Sequence, residues 1–523
     1  MTAYLTTTIP YVNARPHIGH ALELVQADVL ARYRRGRGEA VRFQTGTDDN
    51  SLKNVLAAKA AGVGVQEFVD RNADAFLALG DALSLSVDDV IRTSRDRRHR
   101  PGVERFWRAC AGAGDLYRKR YQGLYCTGCE QFYPPAELRD GRCPEHDTVP
   151  EHVAEENWFF RLSRYAGPLR EAISTGRLRI EPAGRRNEVL GFIDAGLEDF
   201  SVSRPAGRAG GWGIPVPGDP SQVIYVWFDA LCNYVTALGY GGGAGAYRQW
   251  WAAGDPGSRR IHLLGRGVLR FHAVYWPAML LSSRQPLPTD IFVHGYLTAG
   301  GRKISKSSGS PGPAAEPAAL AGRCGADAVR WWLLREVPRA GDADFTAERL
   351  IARADDELAN GLGNLVNRVV AMTARYRDGR IPDAAPLPPD GQDLGAAIHR
   401  AGDLAGAALD EFDFRRATAA VWAIAEEANR FVSRARPWEL ARAEKHGDRE
   451  AGARLDAILA ALLGACSALG RELTPFLPDG AARITRQCTP RDGRLPAPSP
   501  VFRRLAPGWP RAAPARGPWS RSA

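Results

Sequence analysis

Lysine is scarce in this chain. Its 523 residues include only six lysines, although Lys and Arg together number 69. Arginine therefore supplies most of the solvated positive charge, and a lysine suggests a place that needs a compact, mobile ammonium group. Two of the six, Lys303 and Lys306, lie in one stretch of four residues inside a Gly- and Ser-rich segment. We interpret that segment as a mobile source of positive charge for an anionic ligand.

Two further features are missing from the sequence. The first residues, MTAYLTTTIPYVN, show no basic segment followed by an apolar one, and no stretch elsewhere reaches the expected length of a membrane span. Of the eight cysteines, five stand singly among helical or apolar segments, namely Cys110, Cys232, Cys324, Cys466 and Cys488. Such spacing does not form a disulfide framework. We expect a cytoplasmic protein that does not enter a membrane.

Size and charge limit the possible classes of protein. A mass of 56.9 kDa with 45% hydrophobic residues is sufficient for two to four domains with their own cores. The net charge of +10 favours a polyanionic partner, with nucleic acid as the first candidate. An arginine-rich composition without such a partner is an equally good explanation.

The order of apolar patterns indicates an α/β fold followed by an α-helical part. Strand-like and helix-like segments alternate over residues 4–9, 18–34, 41–45 and 51–79, and strand-like segments return at 223–227 and 261–264. This order predicts a βαβ start and a parallel sheet with ligands at the carboxyl ends of its strands. Helical periodicity covers residues 350–477. We therefore predict five regions, at residues 1–115 and 218–345 for the two halves of the α/β domain, 116–217 for an insertion, 346–480 for a helical bundle and 481–523 for an extension that ends in a disordered basic tail.

Two basic motifs nearly three hundred residues apart predict a nucleotide triphosphate site. His17-Ile18-Gly19-His20 opens the first helical pattern, where backbone N–H groups, the positive helix end and two imidazoles can meet phosphate oxygens. Lys303-Ile304-Ser305-Lys306-Ser307 can place ammonium groups over a leaving pyrophosphate. The alternatives are a surface pair of histidines and a solvated basic loop.

Four soft ligands predict a structural zinc site within the insertion. Cys126 and Cys129 form one pair, and Cys143 and His146 form a second pair after a turn region. Four such ligands suit tetrahedral zinc and leave no position for a reactive water molecule. Buried thiols beside an unrelated histidine are the alternative.

Two carboxylates and two aromatic segments are candidates for a second ligand. Asp48 and Asp49 follow the strand at 41–45, where a carboxylate can bind an ammonium group or a ribose hydroxyl, although either could instead cap the next helix. The aromatic segments 225–230 and 271–277 can line an apolar pocket, although such segments more often belong to a core.

Eleven ordered segments resemble the methionyl-tRNA synthetase family over residues 4–440. They include TTTIPYVNARPHIGH, TGTD, CTGCE with CPEH, EVLGFIDAGLEDFSVSR, VIYVWFDALCNYVTALGY, HGYLTAGGRKISKS and RPWEL. The resemblance implies a class I synthetase fold, in which a Rossmann catalytic domain is split by a zinc-knuckle insertion and followed by an all-α anticodon-binding bundle. It also implies ATP-dependent activation of methionine to methionyl-adenylate, transfer to tRNA(Met), Mg²⁺ with the ATP and a structural Zn²⁺. The lack of a recognisable further domain favours a monomer.

The resemblance assigns roles residue by residue. It implies that ATP is bound by His17, Gly19, His20, Gly265, Lys303 and Lys306, of which the two histidines and the two lysines are catalytic. It implies that the amino end of methionine is held by Ile9, Tyr11 and Asp48, and its thioether by Trp227, Ala230, Leu231, Tyr234, His272 and Trp276. It implies that the CAU anticodon is read by Asn364, Arg368 and Trp438.

Three departures from the family pattern leave other functions open. Asn50 and Ser51 stand where the family usually has His and Gly, and Gly267 replaces a carboxylate that would contact the ATP ribose. A paralogue that activates a methionine-like acid, or that uses an acceptor other than tRNA, is one alternative. A tRNA-binding protein with weak catalysis is another.

Overall fold

A computed structural model describes residues 2–505, except residues 127–130, 134, 145–146, 209, 244, 253–256, 305–315, 384–385 and 387–388. The N-terminal part alternates strands and helices, as predicted. Its elements are β1 (Thr2–Thr7), α1 (Ile18–Gly36), β2 (Ala40–Thr47), α2 (Leu52–Ala61), α3 (Val65–Leu77), α4 (Leu79–Ala82), β3 (Asp89–Arg92) and α5 (His99–Gly112). The helical stretch predicted over 51–79 is interrupted because Gly62, with a φ of 67°, ends α2 in the left-handed conformation that glycine favours.

The next part forms two small antiparallel sheets and also contributes β7 to the main sheet. Its elements are β4 (Leu116–Cys126), β5 (Gln131–Tyr133), β6 (Glu151–Phe160), α6 (Ala166–Ser174), β7 (Arg179–Glu181), α7 (Ala183–Asp194), β8 (Phe200–Ser201), β9 (Ser203–Pro205), β10 (Pro215–Val216) and β11 (Asp219–Ile224). One sheet has the order β5-β4-β6-β8 and the other has the order β10-β11-β9. The strand-like pattern at 223–227 therefore ends a strand of a small sheet, and α8 begins at Val226.

The α/β pattern then resumes and completes the main sheet. The elements are α8 (Val226–Leu231), α9 (Asn233–Thr236), α10 (Gly245–Tyr247), β12 (Arg259–Gly265), α11 (Trp276–Ser282), β13 (Asp290–His294), β14 (Leu297–Ala299), β15 (Arg302–Lys303), α12 (Pro317–Cys324), α13 (Ala326–Glu336) and β16 (Ala343–Asp344). The main sheet has six parallel strands in the order β3-β2-β1-β12-β13-β7. Because the chain leaves β1 towards β2 on one side and β12 lies on the other, the carboxyl end of β1 is a switch point of the kind at which α/β proteins bind ligands.

The C-terminal part is a helical bundle, as predicted. Its helices are α14 (Ala347–Arg353), α15 (Asn364–Arg377), α16 (Gln392–Asp410), α17 (Phe414–Ala435), α18 (Pro437–Lys445), α19 (Arg449–Glu472) and α20 (Pro478–Cys488), with a π-helical segment over Ala354–Gly363. On α17, buried residues recur every three or four positions, as expected for one apolar face of a packed helix.

One bundle helix, α19, does not agree with the expectation that no stretch of the chain is apolar and long enough to span a membrane. By length and composition alone α19 is apolar enough to cross a membrane, and within the described residues it is the one helix that passes this test. In the structure 56% of its apolar window is buried, and the helix packs against α15, α17, α18 and α20. A helix with neighbours on several sides is apolar around most of its circumference, which accounts for the composition of α19.

Candidate active site

A cavity of about 390 Å³ opens at the carboxyl ends of β1, β2 and β12. Its walls come from the segment after β1, the start of α1, the region around α8 and the segments that follow β12 and β13. The structure brings together here eleven of the predicted site residues, namely Ile9, Tyr11, His17, Gly19, His20, Trp227, Ala230, Leu231, Tyr234, Gly265 and His272.

The two histidines of the first motif form the N-terminal cap of α1. The Nδ1 atom of His17 accepts a hydrogen bond from the backbone N–H of Gly19 at 3.1 Å, and the Nδ1 atom of His20 accepts one from the backbone N–H of His17 at 3.0 Å. An Nδ1 that accepts carries no proton, so each neutral ring has its proton on Nε2. Both imidazoles are thereby oriented as Nε2–H donors at the positive end of a helix, which suits them to phosphate oxygens.

Two buried side chains beside this cap were missed by the sequence analysis. Glu23, one turn further along α1, accepts hydrogen bonds at 2.6 Å from both the backbone N–H and the hydroxyl of Thr8. Its other oxygen lies 3.1 Å from Nε2 of His294, whose Nδ1 lies 2.8 Å from the carbonyl oxygen of Gly295. Both nitrogens of His294 therefore have an oxygen atom within hydrogen-bond distance.

The two adjacent aspartates have different surroundings. Asp48 is buried directly after β2 and forms an isolated parallel bridge with Tyr11, which lines the cavity. Asp49 is held by the guanidinium of Arg92 at 3.0 Å and by the hydroxyl of Thr47, and burial raises its pKa although Arg92 opposes the change. The alternative that one of them caps α2 is wrong, because Ser51 occupies the N-cap position.

Aromatic side chains form one wall of the cavity. Trp227 lies flat on Phe271, with ring centres 3.8 Å apart. Next to it, the hydroxyl of Tyr234 donates to Nε2 of His272 at 2.8 Å, because Nδ1–H of His272 donates to the carbonyl oxygen of Val268 at 2.9 Å. These assignments make His272 a neutral ring of fixed orientation beside an apolar space, which suits recognition of an uncharged side chain.

Trp276 belongs to the layer behind the cavity. It is completely buried, and its indole N–H donates to Nε2 of His262 at 3.2 Å. His262 in turn packs against Tyr234, with ring centres 4.2 Å apart. The alternative that aromatic segments are core residues therefore describes Trp276, whereas Trp227 and Tyr234 line the cavity.

We predict that acid weakens the fold through His272. Burial lowers its pKa to about 4, whereas the unfolded chain has a histidine pKa of about 6.5. As the pH falls from about 6.5 to about 4, the unfolded state gains a proton that the folded state does not bind, so the free energy of unfolding falls by about 3 kcal/mol. Urea unfolding at several pH values gives the free energy of unfolding as a function of pH. In this window that free energy should change less steeply with pH for His272→Gln than for the original protein. Equal slopes in the two proteins would contradict the prediction.

The structure shows the contact that Asn50 makes and the position of Gly267. The amide Nδ2 of Asn50 donates to Asp229 at 2.7 Å, which ties the segment after β2 to α8, the helix that carries Trp227. Gly267 lines the cavity close to Gly265. Among the described lining residues Glu23 is the one carboxylate.

The lysine segment begins beside the cavity. Thr298 of β14 pairs with Lys303 of β15, and both Leu297 and Ile304 line the cavity. Lys306 lies outside the described residues, and for Lys303 only the backbone is described. The backbone between Leu297 and Ile304 thus places the start of this segment next to the cavity that His17 and His20 line.

The predicted zinc ligands are described only in part. Cys126 and Cys143 are both buried in one small cluster with Tyr133, whereas Cys129 and His146 lie outside the described residues. Over the part of the chain that the structure describes, no group of three or more metal-ligating side chains occurs.

The predicted anticodon residues lie on two bundle helices. Asn364 begins α15 and is exposed, and Trp438 near the start of α18 is 43% exposed. Arg368 is half-buried and donates to Oδ1 of Asn429 at 3.0 Å, and burial lowers its pKa. An exposed indole can stack on a splayed base, whereas the guanidinium of Arg368 already has a protein acceptor.

Known proteins are similar to the chain over nearly its whole length. A family model described as tRNA synthetases class I (M) matches residues 3–152 and 134–370. The methionine–tRNA ligase of Brucella suis biovar 1 is 37% identical over 521 residues, which cover 96% of this chain and 97% of the relative. That of Thermotoga maritima is 38% identical and covers 93% of this chain and 75% of the relative. A crystal structure of Mycobacterium tuberculosis methionyl-tRNA synthetase bound by methionyl-adenylate superposes with a TM-score of 0.89 at 34% identity, covering 96% of this chain and 100% of that chain.

The parallel sheet, the cavity at its switch point and the helical bundle are those of a class I aminoacyl-tRNA synthetase. Within that class the chain belongs to the methionyl-tRNA synthetase family. The predicted class I synthetase fold with a C-terminal helical bundle and the predicted activity class, a methionine–tRNA ligase, are confirmed. The zinc knuckle stays a prediction.

Proposed function

We propose that this chain activates methionine with ATP and transfers it to tRNA(Met) through the residues that meet at the cavity. The observation that supports this most strongly is their convergence. The histidine cap of α1, the aromatic group around Trp227 and the start of the lysine segment surround one space of about 390 Å³, a suitable volume for an aminoacyl-adenylate.

In the proposed first step a carboxylate oxygen of methionine attacks the α-phosphorus of ATP. The bond from that phosphorus to the bridging oxygen breaks, and pyrophosphate leaves with the electron pair. Trp227, Tyr234 and His272 bind the side chain, and Asp48 beside Tyr11 holds the ammonium group. Alignment and charge stabilisation supply the catalysis, as in other phosphoryl transfers.

Catalysis also requires stabilisation of the negative charge on the phosphates. The Nε2–H groups of His17 and His20 donate to phosphate oxygens, while Lys303 and Lys306 stabilise the departing pyrophosphate. Mg²⁺ bound to the ATP supplies further neutralisation of the phosphate charge. In the second step a hydroxyl oxygen of the 3′-terminal ribose of the tRNA attacks the acyl carbon. The bond from that carbon to the phosphate oxygen breaks, AMP leaves with the electron pair, and the hydroxyl proton is released.

The remaining assignments are part of the same proposal. Cys126, Cys129, Cys143 and His146 hold a structural zinc ion, which agrees with the shared burial of the first and third of them in one cluster. Asn364, Arg368 and Trp438 read the anticodon. The enzyme acts as a monomer in the cytoplasm and has the five regions predicted from its sequence.

Charging of RNA tests this proposal. The enzyme should attach labelled methionine to a transcript of tRNA(Met) with a CAU anticodon, and a transcript with a changed anticodon should be charged at least tenfold more slowly, since a few lost base contacts remove about 1.4 kcal/mol or more. Exchange of pyrophosphate into ATP with methionine but without any charging would instead support an acceptor other than tRNA. RNA binding without exchange would support the non-catalytic alternative.

A further inference from the structure

Arg330 connects the helical bundle to the α/β domain. It lies on α13, is completely buried, and its guanidinium has four acceptors within hydrogen-bond distance. Two are the carbonyl oxygens of Phe476 at 2.8 Å and Pro475 at 2.9 Å, in the segment that follows α19. The other two are the carbonyl oxygen of Leu83 at 3.1 Å and the carboxylate of Asp28 at 2.8 Å, both in the α/β domain.

Asp28 joins this contact to the helix that carries the histidine cap. It lies on α1, eight residues after His20, and is completely buried. One oxygen accepts from the backbone N–H of Ser86 at 2.6 Å and from the hydroxyl of Ser86 at 2.7 Å, and the other accepts from Arg32 at 2.8 Å as well as from Arg330. Burial would raise the pKa of Asp28, but Arg330, Arg32 and Ser86 outweigh it, so the pKa is lowered and the carboxylate stays charged.

The segment at 83–87 carries the connection to the cavity wall. Arg330 holds its first residue and Asp28 holds Ser86, while Leu85 and Val87 line the cavity. The hydroxyl of Ser84 donates to Asp479 of α20 at 2.9 Å, which adds a second contact with the bundle. A displacement at the end of α19 can therefore be transmitted to the cavity in two ways, through segment 83–87 and through α1.

The opposite end of the connection leads to the predicted anticodon surface. Trp438 lies on α18, which packs against α19, and Pro475 lies in the short segment between α19 and α20. A shift of Pro475 or Phe476 would break hydrogen bonds of a buried guanidinium, and such bonds are costly to leave unmade. The segment after α19, Arg330 and Asp28 must therefore move as one unit if any of them moves.

We propose that Arg330 is a positioning residue that couples binding of tRNA at the helical bundle to the placement of α1 and of segment 83–87 at the adenylate site. This inference rests on the proposed function. It assigns to Arg330 an effect on the rate of charging that depends on the anticodon, beyond its contribution to the stability of the fold. Coupling between two sites typically changes a rate or an affinity by roughly 5- to 150-fold.

Arg330→Lys is the informative variant. Lysine keeps the positive charge near Asp28 but lacks the planar fork, so it cannot hold the carbonyls of Leu83, Pro475 and Phe476 at once. Arg335→Lys is the matched control, because Arg335 lies on the same helix and pairs with Glu357 of the bundle at 3.1 Å. Asp28→Asn provides a second variant of the same connection in case Arg330→Lys does not fold.

The experiment measures methionine-dependent pyrophosphate exchange without RNA, and the kcat and KM of charging for CAU and altered-anticodon transcripts. For Arg330→Lys we expect exchange without RNA within about threefold of the original, because lysine keeps the charge beside Asp28 and the hydrogen bonds from Ser86 to Asp28 remain in place. We expect the ratio of kcat between the CAU transcript and the altered-anticodon transcript to fall by about tenfold in this variant. The ratio of KM between the two transcripts should stay as in the original enzyme. Arg335→Lys should retain the full anticodon effect on kcat.

Three results would overturn the inference. The first is an equal loss of exchange and charging in Arg330→Lys with an unchanged anticodon effect, which would make Arg330 a structural support. The second is an anticodon effect confined to KM in the original enzyme. The third is equal behaviour of the Arg330→Lys and Arg335→Lys variants. Failure of exchange in the original enzyme would instead refute the proposed function itself.

Discussion

Replacing His17 by Ser and His20 by Glu is expected to lower methionine-dependent pyrophosphate exchange by about a thousandfold or more. The double variant has the sequence Ser-Ile-Gly-Glu, the usual capping box, so α1 should start at the same residue. It lacks both Nε2–H donors, and the new carboxylate repels phosphate. The free energy of unfolding should stay within about 0.5 kcal/mol of the original value, as measured by urea denaturation.

The pair His17→Ala and His20→Ala provides the comparison. Alanine removes both the donors and the cap, so exchange should fall as far while the free energy of unfolding also falls by about 1–2 kcal/mol. The comparison separates the two roles that the structure gives these histidines. Exchange within tenfold of the original in the Ser/Glu variant would show that the imidazoles serve only to cap the helix.

Gly46→Ala is expected to destabilise the fold by about 3 kcal/mol and to abolish methionine binding. A Cβ atom at position 46 would lie 2.1 Å from the carbonyl oxygen of Ile91 and 2.7 Å from its Cγ2. That oxygen belongs to the backbone of β3, which pairs with β2 at this position, so it cannot move without breaking the sheet. Since Gly46 also lines the cavity, any relaxation of the backbone changes the shape of the site.

Gly36→Ala is the matched control for this prediction. Gly36 ends α1, and a Cβ atom there would meet nothing within 4 Å. Alanine should be neutral or stabilising by up to about 1 kcal/mol, because it lowers the conformational freedom of the unfolded chain. Urea unfolding and calorimetry with methionine should separate the two variants. A Gly46→Ala protein with the stability and affinity of the original would contradict the close approach of β2 and β3.

The main elements of the fold were predictable because each has a strong local signal. Apolar periodicity identified α1 and the bundle helices, and short β-rich segments identified β1, β2 and β12. The three residues of β7 have no such signal, and this strand joins the main sheet from within the predicted insertion only through its pairing with β13. The break at Gly62 depends on a left-handed backbone conformation, which glycine permits but does not require.

The site was predictable where residues act as neighbours in sequence. His17 and His20 belong to one motif, although the reciprocal cap that they form was hidden because such boxes usually contain Ser or Thr with Glu. Glu23 and His294 lie 271 residues apart, and no local pattern reports their contact. A charge among the apolar positions of α1 was the available signal, but Asp28 and Arg34 share it, so it did not single out Glu23. Similarly, only the packing distinguishes Trp276, which lies behind the cavity, from Trp227, which lines it.

Exchange of pyrophosphate into ATP, measured with each of the twenty amino acids in turn, tests the central claim most directly. The claim is that one cavity holds an apolar amino acid side chain and the phosphates of ATP together. We predict rapid exchange with methionine and exchange at least a hundredfold slower with leucine and valine, although one methylene alone is worth only about 1–3 kcal/mol in such a pocket. Absence of exchange with every amino acid, by a folded protein that still binds ATP, would contradict the account.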